Sequence, residues 1–310
     1  MSEYLLALLG FILLIGSGKY LVKGSVAFAR YFGLSTMVIG LTVVAFGTSA
    51  PELLVSAQAA IDGHPEIALG NVIGSNISNI ALVLAITAII FPILAKRSTI
   101  LKDIPVMLLV SLLFFLLVQD GTLKRPEGII FIALLAILVY FKIRTSKTDE
   151  PDNTVDKPGS YQLWKAIFLI VLSSVGLVYG ARFLVHNVVI IAGELHVSER
   201  VISITVIAVG TSLPELTTSV MAAIQKEMDI SVGNIIGSNI FNILSVLGIT
   251  SVIKPIHVNP VINYDIIWMI IISFLLFVLL LPLKKSRLSR LDGIILIAVY
   301  VYYIYMLFSV

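Results

Sequence analysis

The chain has 310 residues, 58% of them hydrophobic and 13% charged, with a mean hydropathy of +1.05. Soluble domains carry about a quarter charged residues, so this composition excludes an ordinary soluble fold and points to a polytopic membrane protein. There is no cysteine, which excludes disulfides, thiolate metal sites and cysteine nucleophiles, and the net charge of +3 implies no nucleic-acid partner because the basic residues fall in loops.

Apolar runs of about 20 residues, enough for a helix to cross about 30 Å of hydrocarbon, predict an all-α protein with ten spanning helices. They lie near 4–25, 37–60, 67–94, 103–119, 128–144, 164–189, 200–224, 230–253, 264–282 and 292–309. The first run carries Glu3, has no basic n-region and lacks an A-x-A-like site, so it reads as a structural helix rather than a signal peptide. Between the fifth and sixth runs, SKTDEPDNTVDKPGS is charged and aperiodic, and reads as a short solvated linker. The expected organisation is therefore a five-helix unit over 1–145, a cytoplasmic linker over 146–160, and a second five-helix unit over 161–310. With the N-terminus outside, the inside loops hold fifteen Lys and Arg residues and the outside loops five. That bias places both termini outside and the linker in the cytoplasm.

The two units repeat. Residues 38–84 laid over 201–247, at a constant offset of 163 and without a gap, give 27 identities in 47 positions. GNVIGSNISNI (Gly70 to Ile80) falls on GNIIGSNIFNI (Gly233 to Ile243), and GTSAPE (Gly47 to Glu52) on GTSLPE (Gly210 to Glu215). Five crossings is an odd number, so the second unit enters the membrane from the opposite side. Inverted halves of this kind are a transporter signature, with the binding site at their interface.

Of eighteen acids, sixteen fall in loops, in the linker or near segment ends, and only Glu52 and Glu215 sit deep. An acid at the bilayer centre costs at least about 2.5–3.5 kcal/mol and is a functional hypothesis by default. One reading is structural: Ser49-x-x-Glu52 and Ser212-x-x-Glu215 match the capping box, with a proline just inside the helix start. The other is that the span breaks at G-T-S and the acid faces a cavity where a cation neutralises it. Ser75 and Asn79, like Ser238 and Asn242, lie four apart on one helical face and offer oxygen acceptors, or else serve as interhelical packing groups. Gly70, Gly74, Gly233 and Gly237 read as structural small residues for close helix approach. The hydroxyls of Thr48, Ser49, Thr211 and Ser212 could also bond back to their own helices. Such an all-oxygen set suits a hard cation such as calcium. His64, His186, His196 and His257 are scattered and form no ligand spacing. Two carboxylates carry −2, matched by one calcium or two sodium ions, so the two cations would compete for one site.

With these motifs, the chain resembles the cation/calcium exchanger superfamily, most closely the short prokaryotic sodium/calcium antiporters, over nearly its whole length. The resemblance implies two inverted five-helix halves, with helices 2, 3, 7 and 8 broken around the ion sites. The first helix of each half would slide to alternate access. It places ion ligands at Thr48, Ser49, Glu52, Ser75 and Asn79, and at Thr211, Ser212, Glu215, Ser238 and Asn242, with main-chain carbonyls at Ala45 and Ala208. Some members carry an aspartate where this chain has Asn242, and the amide here leans against potassium co-transport. The implied activity is electrogenic calcium extrusion across the cell membrane. The partners are calcium, sodium and the lipid bilayer, with no cofactor and no obligate protein partner legible. A proton-coupled calcium antiporter is the alternative, followed by a cation channel. An enzyme is not implied, since no nucleophile elbow, H-E-x-x-H or paired-aspartate motif occurs.

Overall fold

The computed structural model describes residues 2–146, 160–195, 210–281 and 286–309. The described chain is mostly helical: α1 (Ser2–Phe32), α2 (Thr36–Thr48), α3 (Ala50–Ile61), α4 (Ile67–Ile90), α5 (Thr99–Leu117) and α6 (Arg125–Ser146). After the linker come α7 (Ser160–Glu194), α8 (Leu213–Ile224), α9 (Met228–Ile253), α10 (Ile262–Leu280) and α11 (Arg290–Ser309). Among the described residues eight helices are long and apolar enough to cross a membrane, and the bent pair α2–α3 makes a ninth. The span expected over 200–224 is described only from residue 210 onward, where it appears as the shorter helix α8.

The local chemistry explains the boundaries. Glu3 in the first turn of α1 and Arg30 in the last complement its dipole. Gly33, at φ +62°, turns the chain, and the Ser35 hydroxyl accepts from Val38 N to cap α2. Helices α1 and α7 are much longer than expected, 31 and 35 residues, so at about 1.5 Å per residue each exceeds the hydrocarbon thickness and must tilt or protrude.

The family resemblance implies breaks in the helices over 67–94 and 230–253. Both α4 and α9 instead run through, relieved by a π turn at Asn79–Leu84 and at Asn242–Leu247. A π turn adds one residue without ending the helix, which lets an apolar span stay hydrogen-bonded while re-aiming its side chains. A third π turn, Gly40–Val44, lies in α2 shortly before its bend to α3, the one bent pair among the described residues.

Packing divides into two cores. The larger joins α4, α5, α9, α10 and α11 around residues such as Ile77, Phe114, Ile240 and Leu276, and the smaller joins α1 and α7 around Leu14, Leu21 and Leu177. Helices α1 and α7 meet backbone to backbone. A Cβ on Gly10 would sit 2.6 Å from Leu184 N and 2.9 Å from Gly180 O. Two short antiparallel strand pairs close the ends of the larger bundle. Strand β1 (Ile93–Leu94) pairs with β4 (Arg287–Leu288), and β2 (Thr122–Leu123) with β3 (Ile256–His257). Because α5 runs from β1 to β2, the two pairs lie at opposite ends. Each joins a loop of the first unit to a loop of the second.

Candidate ion site

The break between α2 and α3 comes from GTSAPE. Ser49 leaves helical geometry at φ −86°, ψ 4°, Pro51 starts α3, and the two helices meet at 46°. Ser212 has almost the same conformation, φ −87°, ψ 5°, ahead of Pro214 in α8. The capping box is not formed in either copy, because neither serine side chain caps its helix. Instead the Ser49 hydroxyl donates to Glu215 Oε1 at 3.2 Å, and the Ser212 hydroxyl lies 2.6 Å from that of Ser78. The hydroxyls cross between halves rather than serving their own helices.

Glu52 and Glu215 are 1% and 0% exposed. The Ser49 hydroxyl is bonded to the Glu215 carboxylate, and the hydroxyls of the neighbouring Thr48 and of Ser238 contact one another. Thr48 Oγ1 also lies 3.0 Å from Asn234 Oδ1 and 3.3 Å from Ser238 Oγ. Of the four carboxylate oxygens, Glu52 Oε1, Glu52 Oε2 and Glu215 Oε2 are buried without a hydrogen-bond partner among the described residues. A buried carboxylate pair left bare in this way is strongly unfavourable unless a cation joins it.

The neutral oxygens sit on α4 and α9. Ser75, Asn79, Ser238 and Asn242 are all buried, and both asparagines stand at the first residue of a π turn. Ser75 Oγ, both polar atoms of Asn79, and Asn242 Oδ1 have no partner among the described residues. The structure therefore brings together Thr48, Ser49, Glu215, Ser238 and Asn234 on one side. Thr211 is only half-buried. The Ala45 carbonyl is occupied, accepting from Ser49 N at 2.9 Å and from the Thr48 hydroxyl at 3.3 Å. Ala208 lies outside the described residues.

Several polar residues at this interface are not among those the motifs single out. Asn71 Nδ2 donates to Ser56 Oγ at 2.9 Å and to the Glu52 carbonyl at 3.2 Å. Asn234 Nδ2 does the same to Ser219 Oγ at 3.1 Å and the Glu215 carbonyl at 3.5 Å, tying each acid-bearing helix to its neighbour. Asn242 Nδ2 donates to Asn76 Oδ1 at 3.1 Å, and Asn76 Nδ2 to the Asn239 carbonyl at 3.2 Å. Asn71 with Asn234 and Asn76 with Asn239 are all identities under the offset of 163, so buried amides that recur in both copies are the signal that could have found them. Ser78 carries no such signal, since its equivalent is Phe241.

With this geometry described, the comparisons with known proteins are specific. The family model "Sodium/calcium exchanger protein" matches residues 2–144 and 165–309. The sodium/calcium exchanger MaX1 of Methanosarcina acetivorans is 32% identical over 295 residues, covering 83% of this chain and 84% of the relative. The inner membrane protein YrbG of Escherichia coli is 34% identical over 287 residues, 87% of each. Among solved structures, the sodium-calcium exchanger NCX_Mj soaked with 10 mM Na+ and zero Ca2+ superposes with a TM-score of 0.84 at 34% identity, covering 97% of both chains.

Proposed function

The chain belongs to the sodium/calcium exchanger protein family, and from that membership we propose that it exchanges sodium for calcium by alternating access. It is a multi-pass membrane protein of a family whose activity is transport. The observation that carries the proposal is the pair of buried glutamates with three oxygens that lack a partner among the described residues, beside buried hydroxyls and amides with unpartnered oxygens of their own. A hard cation is the partner such a donor set lacks, and calcium accepts six to eight oxygens in flexible geometry. Thr48, Ser49, Glu52, Ser75, Asn79, Thr211, Ser212, Glu215, Ser238 and Asn242 are the proposed ligands. The Ala208 carbonyl would join them, and the Ala45 carbonyl would do so on losing one of its present donors.

The coupling follows from charge. A site of −2 in low dielectric is costly to empty, so each passage across the membrane carries a cation. One calcium neutralises the site, and three sodium ions would leave it at +1, which makes the exchange electrogenic. Two inverted five-helix halves, ten helices in all, would let the site face each side in turn. The repeat and the strand pairs at opposite ends support that arrangement. In the cell membrane, with both termini outside, the sodium gradient would drive calcium out.

The test is calcium-45 uptake into proteoliposomes loaded with sodium. Uptake that needs an outward sodium gradient and responds to voltage supports the proposal. Uptake indifferent to sodium but driven by a pH gradient would replace it with proton-coupled antiport.

A further inference from the structure

An amide ligand has a problem that a carboxylate does not. Only its oxygen end attracts a cation, its NH2 end repels one, and the two ends are nearly the same size. Sterics alone therefore leave Asn79 and Asn242 free to present the wrong end. Something must set their direction, and for Asn242 the structure contains a chain of bonds that does so.

The chain starts at the Asn239 main-chain carbonyl, which can only accept. Asn76 Nδ2 donates to it at 3.2 Å, and the same nitrogen lies 3.5 Å from Met269 Sδ. With its nitrogen so committed, Asn76 turns its oxygen toward Asn242, and Oδ1 can only accept. Asn242 must answer with Nδ2, at 3.1 Å. Its own Oδ1 is left buried and without a partner among the described residues, free to face an ion. Under the offset of 163 the equivalent chain would run from the Asn76 carbonyl through Asn239 to Asn79. Among the described residues both polar atoms of Asn239 and both of Asn79 are buried without a partner, so that second chain is unmade. The two amides of the site are thus chemically equal and unequally prepared.

We propose that Asn76 and Asn239 are positioning residues for the ion site, each turning the ligand amide of the opposite half (Asn242 and Asn79) so that its oxygen faces the cation. This rests on the reading that those amides hold ions. Neither Asn76 nor Asn239 need touch the ion.

The test is a double-mutant cycle on the purified full-length protein, read by equilibrium calcium-45 binding, with thermal melting to establish folding. Asn76→Ala removes the acceptor that turns Asn242, and calcium affinity falls about fivefold to tenfold, the worth of one hydrogen bond. In an Asn242→Asp background the same substitution costs less than about twofold, because a carboxylate presents oxygen whichever way it turns. If Asn76→Ala does not fold, Asn76→Leu, closer in size, takes its place in both backgrounds. An equal loss in the two backgrounds would mean that Asn76 acts only in packing, and would overturn the proposal. Wild-type protein that binds no calcium would instead overturn the ion-site reading on which it stands.

Discussion

The bonds that tie each half of the site to itself occur in both copies. Asn71 bridges Ser56 and the Glu52 carbonyl, and Asn234 bridges Ser219 and the Glu215 carbonyl, with corresponding lengths within 0.3 Å of each other. The bonds that cross between halves do not. Thr48 reaches Ser238, Ser49 reaches Glu215, and Asn242 reaches Asn76. Among the described residues the equivalent atoms of Ser75, Glu52, Asn79 and Asn239 have no partner. The helix approach follows the same split, because Gly233 and Gly237 are buried against α2 whereas Gly70 and Gly74 are exposed. The residues named here are identical in the two halves under the offset of 163, so this difference is one of conformation. Halves whose internal bonds match, and whose crossing bonds form on one flank alone among the described residues, could exchange flanks without changing those internal bonds.

The largest effect would come from removing what both flanks share. Glu52→Gln and Glu215→Gln should each lower sodium-driven calcium uptake about a hundredfold or more while leaving the protein folded, since each discards a buried charge the cations need. Near-normal uptake by either variant would break the equivalence of the two acids.

Next comes the docked helix pair. A Cβ on Gly237 would lie 2.6 Å from the Leu41 carbonyl and 2.7 Å from Ala45 Cβ. Gly237→Ala should therefore destabilise the described arrangement by about 1–3 kcal/mol, and Gly74→Ala should leave it unharmed while disfavouring its reverse. Melting temperatures of the two variants, compared with wild type, would show a drop for the first alone. Equal drops would mean that both flanks are docked.

A smaller shift concerns a hydroxyl at the site that the other half lacks. Ser78 holds the Ser212 hydroxyl at 2.6 Å, and its equivalent is Phe241, which offers Ser49 no such bond. Ser78→Ala should release Ser212 toward Glu52 and move the balance between the two arrangements up to about tenfold toward the reverse. The chain has no native cysteine, so thiol labelling of a single Gly70→Cys reporter, exposed here, would fall as that flank closes. Unchanged labelling would show that Ser78 does not hold the balance.

The smallest contrast is expected within the halves. Asn71→Leu and Asn234→Leu should each cost about 1 kcal/mol and agree within about 0.5 kcal/mol. Thermal melting decides it, and a clear inequality would mean that the shared scaffold is not shared.

The sequence already contained the acids, the serine and asparagine pairs, the repeat and nearly all of the spans, because each is a chemical exception inside an apolar background. Two features it could not show have physical causes. The π turns at Asn79 and Asn242 leave no breaker residue behind, since an extra residue in the winding needs neither proline nor glycine. The partners of Ser49 and Ser212 lie in the other half, so a local pattern such as the capping box named the wrong partner for both. Which flank is docked could not be legible at all where the paired residues are identical.

The strand pairs β1–β4 and β2–β3 have a further consequence. They are main-chain bonds between loops of different halves, one at each end of the bundle, and they act alongside the backbone contact of α1 with α7. Main-chain pairing does not depend on which side chains the loops carry, so these clasps can persist while loop sequences drift. The covalent link through residues 146–160 is then not what holds the halves in register. A gene divided at that point, giving two polypeptides, would still encode the surfaces by which they find each other, as an ancestor made of two separate subunits would have required.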